Sequence, residues 1–132
     1  MSNKVAWIDE THFVYGPILA AEWMGPWNGK SYDYIDFEGL LWAEDTIRGL
    51  LKEWGHHPAV YAIQPVNEPW SKSDQWALKL FYRNVRQMIR LEAPHLKFVF
   101  HDSFLEDVAS WDDLFADGDT HNVVLDNHYY RM

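Results

Sequence analysis

Several features that would place a chain in a class of proteins are missing from this sequence. It has no cysteine, so disulfides and thiolate chemistry are excluded and the redox compartment is left undetermined. Lysine and arginine total 11 against 20 acidic residues, a formal net charge of -9 that argues against a nucleic-acid partner. No apolar run approaches the roughly 20 residues of a membrane span, and residues 1–10 carry no recognisable secretory signal.

Aromatic residues, by contrast, are abundant. The 132 residues include 8 Trp, 7 Tyr and 7 Phe, and 48% are hydrophobic, which is enough to build a core and disfavours disorder. Trp23, Trp27 and Trp70 lie in Gly/Pro-rich or post-strand segments, where a flat ring suits the apolar face of a sugar. Ordinary core or rim packing is the alternative interpretation for each of these tryptophans.

From Asp36 onward, helix and strand patterns alternate. Helices are predicted over Phe37–Trp54, with Asp36 as N-cap, and from about Asp74 to Leu91, with Ser73 as N-cap. Strands are predicted over Val60–Val66, Lys97–His101 and Asn122–Asp126, with a short irregular helix within Leu105–Phe115. A repeat of about thirty residues per strand and helix predicts parallel strands. Before Asp36, the patterns are a strand at Val5–Ile8, a strand or loop at Pro17–Glu22 and an aromatic loop at Trp23–Tyr34.

Apolar spacing predicts which face of each helix is buried. In the first helix the apolar stripe is Leu40, Ile47, Leu50, Leu51 and Trp54, and in the second it is Trp76, Leu80, Val85, Met88 and Ile89. Arg83, Arg86 and Arg90 are predicted to lie on the solvated side of the second helix.

Residues able to do acid–base chemistry follow the predicted strands. Asn67 and Glu68 follow the first strand, Asp102 the second, and His128 and Tyr130 the third. Because the carboxyl ends of parallel strands meet at one edge of a sheet, we expect these residues to lie together there. We call the surface that they form at the three strand exits the mouth. Apolar surroundings would raise the pKa of a carboxyl group, which suits a general acid and base. The alternative interpretation of Glu68 is an ordinary acidic residue that begins a loop before a proline.

These segments resemble the family 5 glycoside hydrolases, and within them the exo-β-1,3-glucanase branch. The similar segments are Trp54–Ala59, Asn67–Pro69, Phe100–Phe104 and Val123–Tyr130, with a similar spacing between the glutamate and the His-x-Tyr pair. The resemblance implies an α/β fold, a partial (β/α)8 TIM barrel of roughly strands three to six, with residues 1–132 as one partial catalytic domain. It also implies retaining hydrolysis of β-glucans, no cofactor, and secretion to the extracellular space or cell wall.

The resemblance also assigns roles to individual residues. The catalytic set would be Glu68 as acid/base, with His128 and Tyr130 as the strand-six pair that shapes the subsite and positions the nucleophile. Asn67 would bind the sugar 2-hydroxyl. The remaining substrate-binding positions, by resemblance or by their aromatic surface, are Asp102, Phe104, Trp70, Trp23 and Trp27.

The sequence departs from the family in ways that bear on activity. No residue matches the family's nucleophile glutamate or its strand-two arginine, and His12 is a poor match for its strand-three histidine. A full barrel takes ~250 residues, so we expect a fragment or half barrel that has negligible turnover alone. Open sheet edges predict poor stability or self-association.

Two other functions fit parts of the sequence. In a non-catalytic carbohydrate-binding module, the tryptophans would bind glycan and the strand-exit polar groups would supply hydrogen bonds only. A metal hydrolase would draw on the available ligand types, which are His56, His57, His101, Asp102, Asp126 and His128. However, His56 and His57 precede their strand and there is no His-Glu-x-x-His pattern, so no metal site is predicted.

Overall fold

The structure is a computed structural model that describes residues 36–69, 71, 73–105 and 107–129. In chain order the elements are helix α1 (Phe37–Trp54), strand β1 (Ala62–Ile63), helix α2 (Gln75–Glu92), strand β2 (Lys97–His101), a 3-10 helix (Val108–Phe115) and strand β3 (Val123–Asp126). The predictions for segments before Asp36, including Trp23 and Trp27, lie outside the described residues, as do Trp70 and Tyr130. No helix in the described part is long and apolar enough to cross a membrane.

Helix α1 has the predicted bounds because both of its ends are encoded locally. The Asp36 side chain accepts hydrogen bonds from the N–H groups of Glu38 and Gly39 at 3.0 and 3.2 Å, which satisfies donors that the first turn leaves open. At the other end the Gly55 N–H donates to the Leu51 carbonyl at 2.7 Å, and a Cβ at Gly55 would collide with that carbonyl.

The predicted apolar stripe of α1 was too wide. Leu40, Ile47 and Leu51 are buried as predicted, but Leu50 and Trp54 are about half exposed. The buried stripe is completed instead by Ala43 and Glu44, and the Glu44 carboxylate accepts a hydrogen bond from Asn84 of α2 at 2.6 Å. Small and paired polar side chains let the two helices approach, so the larger apolar groups at the flanks stay at the surface.

Helix α2 begins one residue later than predicted. Asp74, not Ser73, is the N-cap, and its carboxylate accepts a hydrogen bond from the Ala77 N–H at 2.9 Å. A carboxylate competes well for this position because it also complements the positive end of the helix dipole. The predicted inner residues Val85, Met88 and Ile89 are buried, whereas Leu80 is half-buried and Trp76 is exposed. Trp76 instead packs edge-on against Phe37 of α1, with ring centroids 6.3 Å apart.

Arg86 of α2 is buried, which contradicts its predicted solvated position. Its guanidinium pairs with the Asp117 carboxylate at 3.2 Å and also hydrogen-bonds the backbone carbonyl of Asp119. Arg90 pairs with the same two aspartates at 3.0 and 2.9 Å but stays partly exposed. The acidic turn before β3 thus folds over α2, and ion pairing has removed Arg86 from water.

The three strands form a parallel sheet in the order β1-β2-β3, which confirms the predicted parallel arrangement. Strand β1 is two residues long rather than seven, and Pro65, which has no N–H, limits it on the C-terminal side. Strand β2 has the predicted bounds, and β3 starts one residue late because Asn122 has a positive φ of 57°. The register pairs His101 with Asp126 at the last position of β2 and β3.

An aromatic core fixes the end of β2. Phe98 and Phe100 share its buried face, and their rings stack with centroids 5.9 Å apart. Tyr82 of α2 packs edge-on against both rings, and Trp111 of the 3-10 helix packs against Phe100 at 5.4 Å. The Tyr82 hydroxyl donates to the His101 carbonyl at 3.2 Å. Burial of each such ring contributes about 1.5–3 kcal/mol, so the exit of β2 is held by a rigid platform.

Candidate active site

Glu68 and His128 meet at the carboxyl edge of the sheet. Glu68 follows β1 and His128 follows β3, and Glu68 Oε1 lies 2.6 Å from His128 Nδ1. Each side chain is about one third exposed, at 32% and 30% respectively, so the pair is accessible from solvent. Two residues sixty positions apart are therefore in direct contact, across the strand that lies between β1 and β3.

Asp126 contacts the other nitrogen of the same ring. His128 Nε2 lies 3.0 Å from Asp126 Oδ2, and the Gln64 side-chain amide donates to that oxygen at 2.9 Å. Asp126 is the last residue of β3 and Gln64 directly follows β1. The aspartate therefore joins the two outer strands at the same edge where it holds the imidazole.

The charge of His128 follows from these two contacts. A neutral imidazole has one N–H and one lone pair, so it cannot donate to two carboxylates at once. The pKa of His128 is raised, chiefly by the hydrogen bond to Glu68 and also by Asp126, against an opposing effect of desolvation. The arrangement thus favours an imidazolium between two carboxylates.

His101 lies beside this group and has the opposite character. It is fully buried, and desolvation is the main cause of its lowered pKa. Its Nδ1 accepts a hydrogen bond from the Ser103 N–H at 3.0 Å, so the proton of the neutral ring is on Nε2. Within the described residues this Nε2 has no hydrogen-bond partner. The ring packs edge-on to His128 at 4.6 Å and to Phe104 at 4.7 Å.

Asp102 is buried at the exit of β2, and both of its carboxylate oxygens are occupied. The Asn127 side-chain amide donates to Oδ2 at 2.6 Å, and the Phe104 N–H donates to Oδ1 at 3.0 Å. Its substrate-binding role stays a prediction, and the contacts found here join the loops after β2 and β3. Sequence reasoning gave Asn127 no role, although its place between Asp126 and His128 at a strand exit was the available signal.

Three non-glycine residues at this edge have left-handed backbone conformations. These are Glu68 at φ 48°, Ser103 at φ 57° and Phe104 at φ 57°. Such conformations cost about 1–3 kcal/mol each and persist where surrounding contacts impose them. Here the Ser103 hydroxyl donates to the Pro69 carbonyl at 3.0 Å and accepts from the Gln75 side chain at 3.2 Å. Strained backbone concentrated at one mouth is typical of functional sites.

The surroundings of Glu68 differ from the predicted apolar pocket. Its carboxylate contacts a polar and chargeable ring, and the side chain is partly open to solvent. Asn67 is exposed at the same exit, Phe104 is half-buried against His101, and Tyr129 is 76% exposed beside His128. The mouth therefore offers polar groups with aromatic surface next to them.

The opposite edge of the sheet carries a different set of histidines. His56 and His57 precede β1, as expected, and the His56 ring stacks with that of His95, which precedes β2, at 5.8 Å. In the part of the chain that the structure describes, no three metal-ligating side chains come together to hold an ion.

No protein-family model, no curated protein and no solved structure matches this chain. The site must therefore be interpreted from its own residues and geometry.

Proposed function

We propose that this chain carries the acid/base glutamate of a retaining glycoside hydrolase that acts on β-glucans, within an α/β domain that is part of a (β/α)8 barrel. The observation that carries the proposal is the 2.6 Å contact between Glu68 Oε1 and His128 Nδ1. It supports the family 5 resemblance, which assigns both residues to one mouth at the carboxyl ends of parallel strands. Three consecutive parallel strands with intervening helices support the same proposal.

Glu68 is the residue suited to proton transfer. As an acid it would protonate the glycosidic oxygen while the bond from that oxygen to the anomeric carbon breaks, and as a carboxylate it would then activate a water molecule. Asn67, adjacent and exposed, would hydrogen-bond the sugar 2-hydroxyl. Phe104 and Tyr129 would supply apolar surface for the sugar rings.

Retention of configuration needs a second carboxylate roughly 5–5.5 Å from the first. Asp126 is poorly suited to serve as that carboxylate, because its Oδ2 is engaged both by His128 Nε2 at 3.0 Å and by the Gln64 side-chain amide at 2.9 Å. Asp102 is buried with both oxygens bonded. We therefore expect this chain to bind glucan without turning it over.

A ligand that reports on proton donation can test Glu68 without turnover. We suggest a glucose-derived imidazole, in which a ring nitrogen stands in for the glycosidic oxygen and accepts the proton of the general acid. Calorimetric titration would compare the wild-type chain with Glu68→Gln, and Asp112→Asn on the exposed face of the 3-10 helix would serve as control. A lost charge-assisted hydrogen bond of about 1.5–3 kcal/mol predicts roughly 10- to 100-fold weaker binding for Glu68→Gln.

A plain β-1,3-glucan oligosaccharide provides the second arm of the test. Its binding should change little in Glu68→Gln, because a glutamine still offers hydrogen bonds to hydroxyl groups. Equal affinity of the glucose-imidazole for wild type and Glu68→Gln would refute the acid/base role. Glucan cleavage that disappears in Glu68→Gln would show that another carboxylate serves as nucleophile.

A non-catalytic carbohydrate-binding module is the second candidate, and the hydrogen bonding of the Asp102 and Asp126 carboxylates favours it, because both are poorly suited to act as nucleophile. A tyrosine that is 76% exposed beside a polar mouth is a suitable stacking surface for a sugar. In that case Tyr129→Ala should weaken oligosaccharide binding by about 1–2 kcal/mol, in line with the loss of an aromatic contact. Binding of the glucose-imidazole would then be unaffected by Glu68→Gln.

A further inference from the structure

The strongest unexplained feature of the mouth is one imidazole held between two carboxylates. His128 reaches Glu68 through Nδ1 at 2.6 Å and Asp126 through Nε2 at 3.0 Å. Two carboxylates and a neutral imidazole share only one N–H, so they can form only one of these two hydrogen bonds. Both can form at once only if Glu68, His128 and Asp126 together hold one additional proton. The proposed function uses the contact with Glu68, but it does not explain the contact with Asp126.

We propose that Asp126 is a positioning residue that keeps His128 doubly protonated, so that the ring supplies the proton that Glu68 donates as an acid. When the Glu68 carboxylate later deprotonates water, that proton passes back to His128 Nδ1. The inference rests on the proposed acid/base function of Glu68 and adds a source for its proton. Asp126 acts through the ring and is not expected to touch substrate.

The proton transfer balances within the three side chains. The Nδ1–H bond of His128 breaks, an O–H bond forms on Glu68 Oε1, and the ring becomes neutral. Its remaining proton stays on Nε2, hydrogen-bonded to the Asp126 carboxylate, which keeps its charge throughout. Without that carboxylate the charged ring would be stabilised by Glu68 alone, and the Nε2–H tautomer would lose the partner that selects it.

Asp126 is well placed for this task because it is itself fixed. It pairs in register with His101 at the end of the β2–β3 ladder, and Gln64 donates to the same oxygen that faces the ring. A side chain anchored by a strand and by a second donor holds the imidazole more precisely than a mobile loop residue would.

Other ionisable groups around His128 must be considered in its titration. On β2, the neutral ring of His101 lies edge-on at 4.6 Å, and Asp102 follows at the strand exit with its oxygens engaged by Asn127 and Phe104. The pKa of His101 is lowered, mainly by burial, and a charge on His128 lowers it further. The two pKa values are therefore shifted in opposite directions, and the extra proton of the group is assigned to His128, whose two ring nitrogens both face carboxylates.

Nitrogen-detected NMR of the histidine rings tests this arrangement on the 132-residue chain. At pH 7, which is above the ordinary histidine pKa of about 6.5, we expect both ring nitrogens of wild-type His128 to be protonated. Asp126→Asn keeps an oxygen that can accept from Nε2 but removes the charge. We expect it to lower the His128 titration midpoint by about one pH unit or more, and Asp112→Asn to leave it unchanged.

A single protonated nitrogen on wild-type His128 at pH 7, or equal midpoints in wild type and Asp126→Asn, would overturn the inference. If Asp126→Asn does not fold, the wild-type ring spectrum decides alone. If His128 is charged but wild type and Glu68→Gln bind the glucose-imidazole equally well, both the proton transfer and the proposed function are refuted. A neutral His128 combined with Glu68-dependent binding would refute the proton transfer and leave the proposed function standing.

Discussion

Replacing Asn127 with alanine is the sharpest test of how the mouth is built. The Asn127 amide donates to Asp102 Oδ2 at 2.6 Å, and Asp102 is only 6% exposed. Truncation would leave a buried carboxylate oxygen without its donor, because water has little access to it. Hydrogen bonds to charged groups contribute about 1.5–3 kcal/mol, and we expect a loss of free energy of unfolding in that range.

Asn84→Ala provides a matched control in another part of the molecule. The Asn84 amide also donates at 2.6 Å to a nearly buried carboxylate, that of Glu44, which is 8% exposed and lies between α1 and α2. Urea denaturation should show both variants losing similar stability. With slopes of about 1–3 kcal/mol per molar urea, each midpoint should fall by on the order of 1 M.

The two variants should differ in the site. Asn127→Ala frees the Asp102 carboxylate and the loop that carries His128, so it should also weaken glucose-imidazole binding, whereas Asn84→Ala should not. The reasoning would be refuted if Asn127→Ala lowered the free energy of unfolding by less than about 0.5 kcal/mol, the usual scale of a neutral surface change. It would also be refuted if both variants bound the ligand equally poorly.

Three further outcomes follow from the same structure. The pKa of His128 is raised, so its charged form contributes fully to stability below about pH 6.5, and this contribution is lost as pH rises through the folded-state pKa. The difference in urea midpoint between wild type and His128→Gln should therefore shrink from pH 6 to pH 9. A difference that stays constant over that range would contradict this. His101, whose pKa is lowered, acts in the opposite sense but is present in both proteins, so the difference largely cancels it. The pKa of Asp117 is lowered mainly by the Arg86 hydrogen bond, so this contribution is present above about pH 3.9 and lost as pH falls through the folded value. The stability advantage of wild type over Arg86→Ala should therefore diminish on acidification, down to the part supplied by the Asp119 carbonyl and by packing. An advantage as large at pH 2 as at pH 7 would argue against this. Phe100→Ala should cost about 3–5 kcal/mol in thermal or urea unfolding by opening a cavity in the aromatic core, and a cost below about 1 kcal/mol would show that this core is not packed as described.

Elements whose signals are local could be predicted from the sequence. The bounds of α1 followed from Asp36 at one end and Gly55 at the other, since both act within four residues. Strand β2 followed from the short apolar run after the second helix, and the structure places Phe98 and Phe100 on its buried face. The parallel arrangement of the strands followed from the repeat of about thirty residues per strand and helix, because parallel strands need a crossover of a dozen residues or more.

Features set by distant partners could not be predicted. Arg86 looked solvated because its aspartates lie 31 to 33 positions later, and nothing near it in sequence reveals them. The sequence predicted apolar surroundings for Glu68 because the residues before it are apolar. In the structure its carboxylate contacts the imidazole of His128, sixty positions away. Asn127 acquires its role through the register of β2 and β3, and Asp126 through the arrival of Glu68 and Gln64 from β1, neither of which a single sequence specifies.

The most direct test of the account is to map where a β-1,3-glucan oligosaccharide contacts the chain, by titration of backbone amide NMR signals. We predict that the perturbed amides cluster at the three strand exits, around Glu68, Ser103 and Tyr129. Perturbations confined to the opposite edge, around His56 and His95, or no perturbation at millimolar oligosaccharide, would contradict the claim that this mouth is a sugar site.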